Sequence, residues 1–267
     1  MLGKTAPLAA LIITALPATA QDAALEPQVA SYLEANRRSL VLLGRGERQL
    51  TFSTGFTMSG NDYGIGTTGK TELSTGVGFA YGITDRMEVF GELPFKWERA
   101  EEAFLGVVES ESRRYATGTA GLRMVLAFEG DRTPEVIGAI SGSYPFGDAL
   151  GITPDLRFGL SAHKLIDPVL LSAGAGVSLG LKTGETKIDF MAGADIALSD
   201  RFGLGIDVSW VSDGSGFASG LNDGVTLTFR GSIASEDGSS SWQPFVAVGA
   251  TNGASDVILG MSWTRRW

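Results

Sequence analysis

The chain has no cysteine and only one histidine, His163, so disulfide cross-links are excluded and little is left for a transition-metal centre. After residue 20 there is no run of eighteen or more apolar residues, which excludes a transmembrane helix. Charged residues are sparse, at 19%, and glycines number 37, a balance that suits strands better than helices. Basic residues are outnumbered, with a net charge of −9, and no Lys/Arg cluster stands out, so nucleic acid is not an expected partner. No cofactor is expected either.

Residues 1–20 read as a secretory signal peptide. Lys4 precedes the apolar run Leu8 to Ile13, and Pro17-Ala18-Thr19-Ala20 supplies small residues for cleavage after Ala20. Loss of Lys4 would take the net charge from −9 to about −10. An exported chain that is apolar on average without a spanning helix is either a soluble periplasmic protein or a barrel. Residues 21–47 form an N-terminal segment with a short helix over 27–40, where Pro27 suits a first helical position and Val29, Tyr32, Leu33 and Leu40 recur at helical spacing. It could be a periplasmic lead-in, a plug or a partner contact.

From residue 48 to 267 the period is two. Leu73, Val77, Phe79, Tyr81 and Ile83 alternate with Ser74, Gly76, Gly78, Ala80 and Gly82. Phe202, Leu204, Ile206, Val208 and Trp210 alternate with Gly203, Gly205, Asp207 and Ser209. About twelve such segments predict an all-β fold, a transmembrane antiparallel up-and-down β-barrel whose apolar parity faces lipid. A soluble barrel or sandwich would alternate too, but would show water a more uniformly polar face than the Gly, Ala, Ser and Thr found here. Short connections such as Thr84-Asp85-Arg86, Asp167-Pro168 and Ser199-Asp200-Arg201 alternate with long ones at 59–70, 99–113 and 212–223, which places both termini in the periplasm. The acidic stretch 99–113 reads as a solvated loop, with a gate or binding loop as the alternative.

Large aromatics fall at both ends of the strands. Trp97, Tyr144 and Trp210 lie at the outer ends; Tyr81, Phe128, Phe202, Trp242 and Trp267 lie at the inner ends, with Trp263 on the same final strand. That last strand closes on Trp267, with Val257, Leu259, Met261 and Trp263 on one parity. It resembles the C-terminal signal read by the barrel-assembly machinery, although Arg265 occupies a usually apolar place.

Phe79-Ala80-Tyr81-Gly82-Ile83-Thr84-Asp85-Arg86-Met87-Glu88-Val89 followed by Pro94 resembles the signature hairpin of a family of outer-membrane transporters named after the MetA pathway of phenol degradation. Ser143-Tyr144-Pro145-Phe146-Gly147 resembles its later Ser-x-Pro-x-Gly segment. The resemblance implies an outer-membrane barrel among membrane lipids, and passage of small compounds, apolar or aromatic ones among them. It brings no site residues.

Two motifs suggest enzymes and lack the context. Gly64 to Thr71 matches the phosphate-binding loop pattern, but Glu72 to Thr84 reads as a strand where a helix is required. Gly176-Val177-Ser178-Leu179-Gly180 matches a nucleophile elbow but lies within a strand. His163 falls opposite Leu171, roughly 23 Å along the strand from Ser178 at about 3.3 Å per residue. No catalytic residue is therefore expected. The candidate functional residues are those of the inward parity: Glu72, Glu88, Glu92, Lys96 and Glu98; Arg123, Asp155 and Arg157; Lys187, Asp189, Asp195 and Asp207; Arg230 and Arg266. They would either line an aqueous path for a small solute or pair across a closed lumen. Inward Gly and Ala leave room and favour a narrow channel; the alternative is a non-conducting barrel that displays its loops.

Overall fold

In a computed structural model, residues 42–62, 66–104, 107–147, 154–199, 201–212, 224–251 and 254–267 are described. The expected helix over 27–40 and the segment 213–223 lie outside them. The strands are β1 (Arg48–Asp62), β2 (Gly66–Thr84), β3 (Met87–Phe104), β4 (Val107–Ala127), β5 (Glu135–Gly147), β6 (Asp155–Ile166), β7 (Val169–Gly180), β8 (Thr186–Ala197), β9 (Phe202–Val211), β10 (Gly224–Ala234), β11 (Ser240–Gly249) and β12 (Val257–Arg266). Each pairs antiparallel with its chain neighbours, and β1 pairs with β12, so the sheet closes into a barrel with no free edge. Closure leaves no unpaired ladder of backbone groups, the condition for crossing a lipid layer with strands.

The apolar parity points outward. Leu204 is 54% exposed and Leu160 55%, while Asp207, three positions after Leu204, is 8% exposed. Large apolar side chains are exposed on every strand, a belt far beyond the few hundred Å² that a soluble monomer tolerates. The alternation and this belt make the chain a transmembrane barrel rather than a soluble one.

Two strand boundaries differ from expectation. The segments 59–70 and 99–113, expected as loops, are mostly strand: β1 and β2 pair as far as Asp62 with Thr67, and β3 and β4 as far as Phe104 with Val107. Residues such as Gly60, Thr67, Thr68 and Gly69 in one segment, and Arg99, Ala100, Glu101 and Glu102 in the other, can continue a ladder once the hairpin is set. The register across the Asp167-Pro168 turn is also one residue from expectation. Ile166 pairs with Val169, so His163 faces Ser172 rather than Leu171.

The barrel is sealed where the described chain begins and ends. Arg48 N donates to Trp267 O at 3.0 Å and Trp267 N to Arg48 O at 3.1 Å. Just before β1 the chain runs across this mouth. Leu43 is 1% exposed, and Leu42 packs with Val125 and Ile137 in the one small apolar cluster found among the described residues. Gly46, at φ 84°, turns the chain from the mouth into β1. Gly82 lets it pass, because a Cβ there would collide with the carbonyl groups of Leu43 and Gly44.

Candidate functional site: the barrel lumen

Register explains the charge pattern on the β2–β4 wall. Glu72 and Glu98 are direct cross-strand partners, an arrangement that repels by itself. Lys70 and Lys96 resolve it. Lys96 Nζ lies 2.8 Å from Glu72, and Lys70 Nζ lies 2.7 Å from Glu98 and 3.8 Å from Glu72. The four groups form a neutral zigzag.

Further along, Glu88 pairs directly with Arg123, at 2.9 Å between Oε1 and Nη1. The other oxygen of Glu88 accepts the Leu43 backbone N–H at 2.9 Å, which ties the mouth-crossing segment to the wall. The Arg123 guanidinium sits 4.1 Å from the centre of the Phe90 ring. Phe90 has the inward parity of β3, and its ring fills the space left by Gly121, its cross-strand partner.

The opposite wall uses a different device. Asp195 on β8 and Arg230 on β10 are both register partners of Gly205 on the strand between them. With no Cβ at Gly205, the two side chains meet over it: Arg230 Nη2 is 2.6 Å from Asp195 Oδ2, and Nε is 3.0 Å from Oδ1. Arg230 Nη1 also bonds Asp207, whose carboxylate fills the space at Gly193. Arg157 on β6 and Asp189 on β8 meet at 2.6 Å in the same way over Gly176 of β7. Two charges two strands apart, joined across a glycine, is thus a repeated arrangement. It explains the first glycine of the Gly-x-Ser-x-Gly run, whose Ser178 pairs with Arg157, six positions from the Ser172 that faces His163. That is roughly 20 Å at about 3.3 Å per residue.

The inward glycines therefore do not simply leave an open path, as the sequence suggests. Gly121, Gly176, Gly193, Gly205 and Gly260 are filled by neighbouring side chains, the last by the Phe245 ring. Gly76 and Gly78 of β2 do floor an open recess of about 360 Å³. Its sides carry Gln49, Ser53, Gln243 and Ser262 from β1, β11 and β12, and Glu92 and Pro94 from β3. Glu92 has no ion pair among the described residues and is exposed to the recess. Lys187 is exposed on β8, and Asp155 sits opposite Gly180 at the far end of β6. Arg266 donates to Gln49 at 2.8 Å.

The aromatics form outward contacts. Trp263 stacks on Phe52 at 5.8 Å and tilts against Trp242 at 6.2 Å; Phe190 stacks on Trp210 at 5.5 Å; Tyr144 meets Phe146 at 5.3 Å. Trp97, Tyr81, Phe202 and Trp267 are exposed on the same outer face. Phe90, Gln49, Gln243, Ser53 and Ser262 are lumen residues that a search for charges passes over, and Lys70 is hidden where 59–70 reads as a loop. The parity of Phe90 marks it already; Gln243 lies on a strand whose alternation is weak.

No protein-family model matches the chain, and no characterised sequence matches it. Among solved structures, it is similar to an outer membrane channel from Pseudomonas putida F1, with 10% identity and a TM-score of 0.59 over 85% of this chain and 97% of that one. The translocator domain of the autotransporter NalP from Neisseria meningitidis matches with 11% identity and a TM-score of 0.56, over 90% and 97%. The transport unit of the autotransporter AIDA-I from Escherichia coli matches with 12% identity and a TM-score of 0.50, over 90% and 98%. At these identities the likeness is one of fold, a transmembrane β-barrel.

Proposed function

We propose that the protein is an outer-membrane barrel acting as a narrow channel for small solutes. The observation that carries this reading is the polar recess inside the wall, where Glu92, Gln243 and Ser262 face open space instead of protein partners. In a membrane, polar groups of this kind are tolerated where water reaches them. The P. putida structure is named as an outer membrane channel, which supports the reading by fold alone. The resemblance to the transporters named after phenol degradation adds apolar and aromatic compounds as one solute class. Export would rest on the signal over 1–20, and insertion on assembly machinery that reads the final strand to Trp267. Residues 21–47 would then lie in or below the periplasmic mouth.

The second reading is a closed barrel, and one observation favours it: Leu42, Leu43 and Gly44 cross the mouth, held by Glu88. Single-channel recording of the full-length protein in a planar bilayer separates the two. The channel reading expects discrete conductance steps. A correctly folded protein that passes no current would leave the closed barrel.

A further inference from the structure

We infer that the lumen recess selects small, uncharged, polyhydroxylated solutes, the class of simple sugars and polyols; this rests on the channel reading and replaces the apolar and aromatic class that the family resemblance implies. The recess lacks a free aromatic face. Of its two aromatic lining residues, Phe79 lies on the outward parity, and Phe90 offers little free ring face, because Arg123 covers one side and the ring settles over Gly121. Phe245, the inward ring on β11, is spent in the same way over Gly260. A hydrocarbon would find no apolar platform there and would displace water from hydroxyl and amide groups, leaving them unsatisfied.

What the recess has is a set of neutral donors and acceptors. The side chains of Gln243, Ser53 and Ser262 make no hydrogen bond to the protein among the described residues, so their capacity is available to a solute or to water. They lie on adjacent strands: Ser53 pairs with Ser262, and Ser262 with Gln243, which spaces the three groups across the wall at strand intervals. Next to them Thr51 and Thr264 share a hydroxyl contact at 3.2 Å, and Gln49 is held by Arg266, which orients that end of the row. A solute with several hydroxyls can satisfy such a row at more than one point; a solute with one polar group cannot. The volume, about 360 Å³, suits a small molecule rather than a chain of sugars.

The charges argue for neutrality of the solute. Lys70, Glu72, Lys96 and Glu98 cancel among themselves, and Arg123 is engaged by Glu88. Glu92 is the carboxylate left free on this wall, and it disfavours anions while it can accept hydrogen bonds from hydroxyls. Glu92 does not lie opposite a free cation on its own strand pair, where its partner is Thr119.

The test uses the full-length protein in a planar bilayer with potassium chloride, and arabinose, mannitol, phenol and toluene as probes. Arabinose and mannitol should interrupt the ion current saturably, while toluene and phenol leave it unchanged. The double variant Gln243→Leu with Ser262→Val should raise the half-blocking concentration of the polyols about tenfold, the effect of about one net hydrogen bond. Saturation-transfer NMR of the detergent-solubilised protein with the same polyols reads the recess independently of conduction. Polyol contact by NMR without any current would remove the channel reading and keep the recess. Block by toluene with none by polyols, polyol block unaltered in the double variant, or the absence of polyol contact by NMR would each overturn the inference.

Discussion

The two sides of the barrel are built to different heights. β2, β3 and β4 run for 19, 18 and 21 residues, whereas β6 to β12 run for 10 to 12. The tall side continues past Trp97 into a polar extension whose ion pairs are solvent-exposed: Arg99 with Glu101 at 2.7 Å and Arg113 with Glu111 at 2.8 Å. On the short side Asp195, Asp207 and Arg230 are enclosed and meet at Gly193 and Gly205, while Arg157 reaches Asp189 over Gly176 from a half-exposed position. The same residue types thus serve two ends. Exposed pairs decorate a hairpin and contribute about 0–1 kcal/mol each, while the enclosed ones cannot lose a partner without stranding a charge.

Removing Arg230 should give the largest effect. Arg230→Met leaves Asp195 and Asp207 enclosed together without a cation, which should cost about 3–5 kcal/mol. Arg113→Met on the tall side should cost no more than about 1 kcal/mol. Urea unfolding in lipid vesicles measures both, and equal losses would break the contrast. Leu204→Arg, on the lipid-facing parity of β9, should cost about 2–4 kcal/mol, whereas the exposed Val108 of the extension should accept arginine at about 0–1 kcal/mol. A large penalty at Val108 would put the extension within the membrane.

Glycine substitutions sharpen the point further. Gly205→Ala forces a methyl group into the Asp195–Arg230 contact and should cost about 1–3 kcal/mol. Gly69→Ala on the tall side meets nothing within 4 Å and should leave the unfolding midpoint unmoved. The smallest effect concerns the turn between β10 and β11. There Asp237 accepts hydrogen bonds from the Ser235 and Ser239 hydroxyls and the Ser239 N–H, which hold its carboxyl down at about 2 against an ordinary value of 3.8. Because the folded value is the lower one, the turn is fully supported above pH 3.8 and loses that support as pH falls through about 2. Amide exchange at Ser239 should accelerate across that window in the native protein, and Asp237→Asn should flatten the profile.

The short side was legible in the sequence because its alternation is strict: Leu204, Ile206 and Val208 against Gly203, Gly205 and Asp207 allow only one face to meet lipid. The tall extension was not, since Thr67, Thr68, Glu101 and Glu102 look like loop residues, and only pairing between hairpins makes them strand. Within the lumen, parity located Glu72, Lys96, Asp195 and Arg230 on the inward face. It could not say that Asp195 and Arg230 meet, because that depends on the register of a third strand between them. Parity likewise lists Gly205 and Gly78 as equal gaps, and only neighbouring side chains tell the filled one from the open one.

The contacts over Gly176 and Gly205 have a consequence for assembly. Each spans three strands, so it forms only when both ladders are aligned at once. Sliding β9 by one residue would bring Leu204 or Ile206 between Asp195 and Arg230 and leave both charges apart in a low-dielectric wall. A lipid-facing apolar belt rewards many alignments nearly equally, since any apolar side chain suits a hydrocarbon solvent. At Gly205 strand alignment is thereby tied to charge: a misaligned β9 would lose the Asp195–Arg230 contact, a penalty that lost apolar burial does not supply.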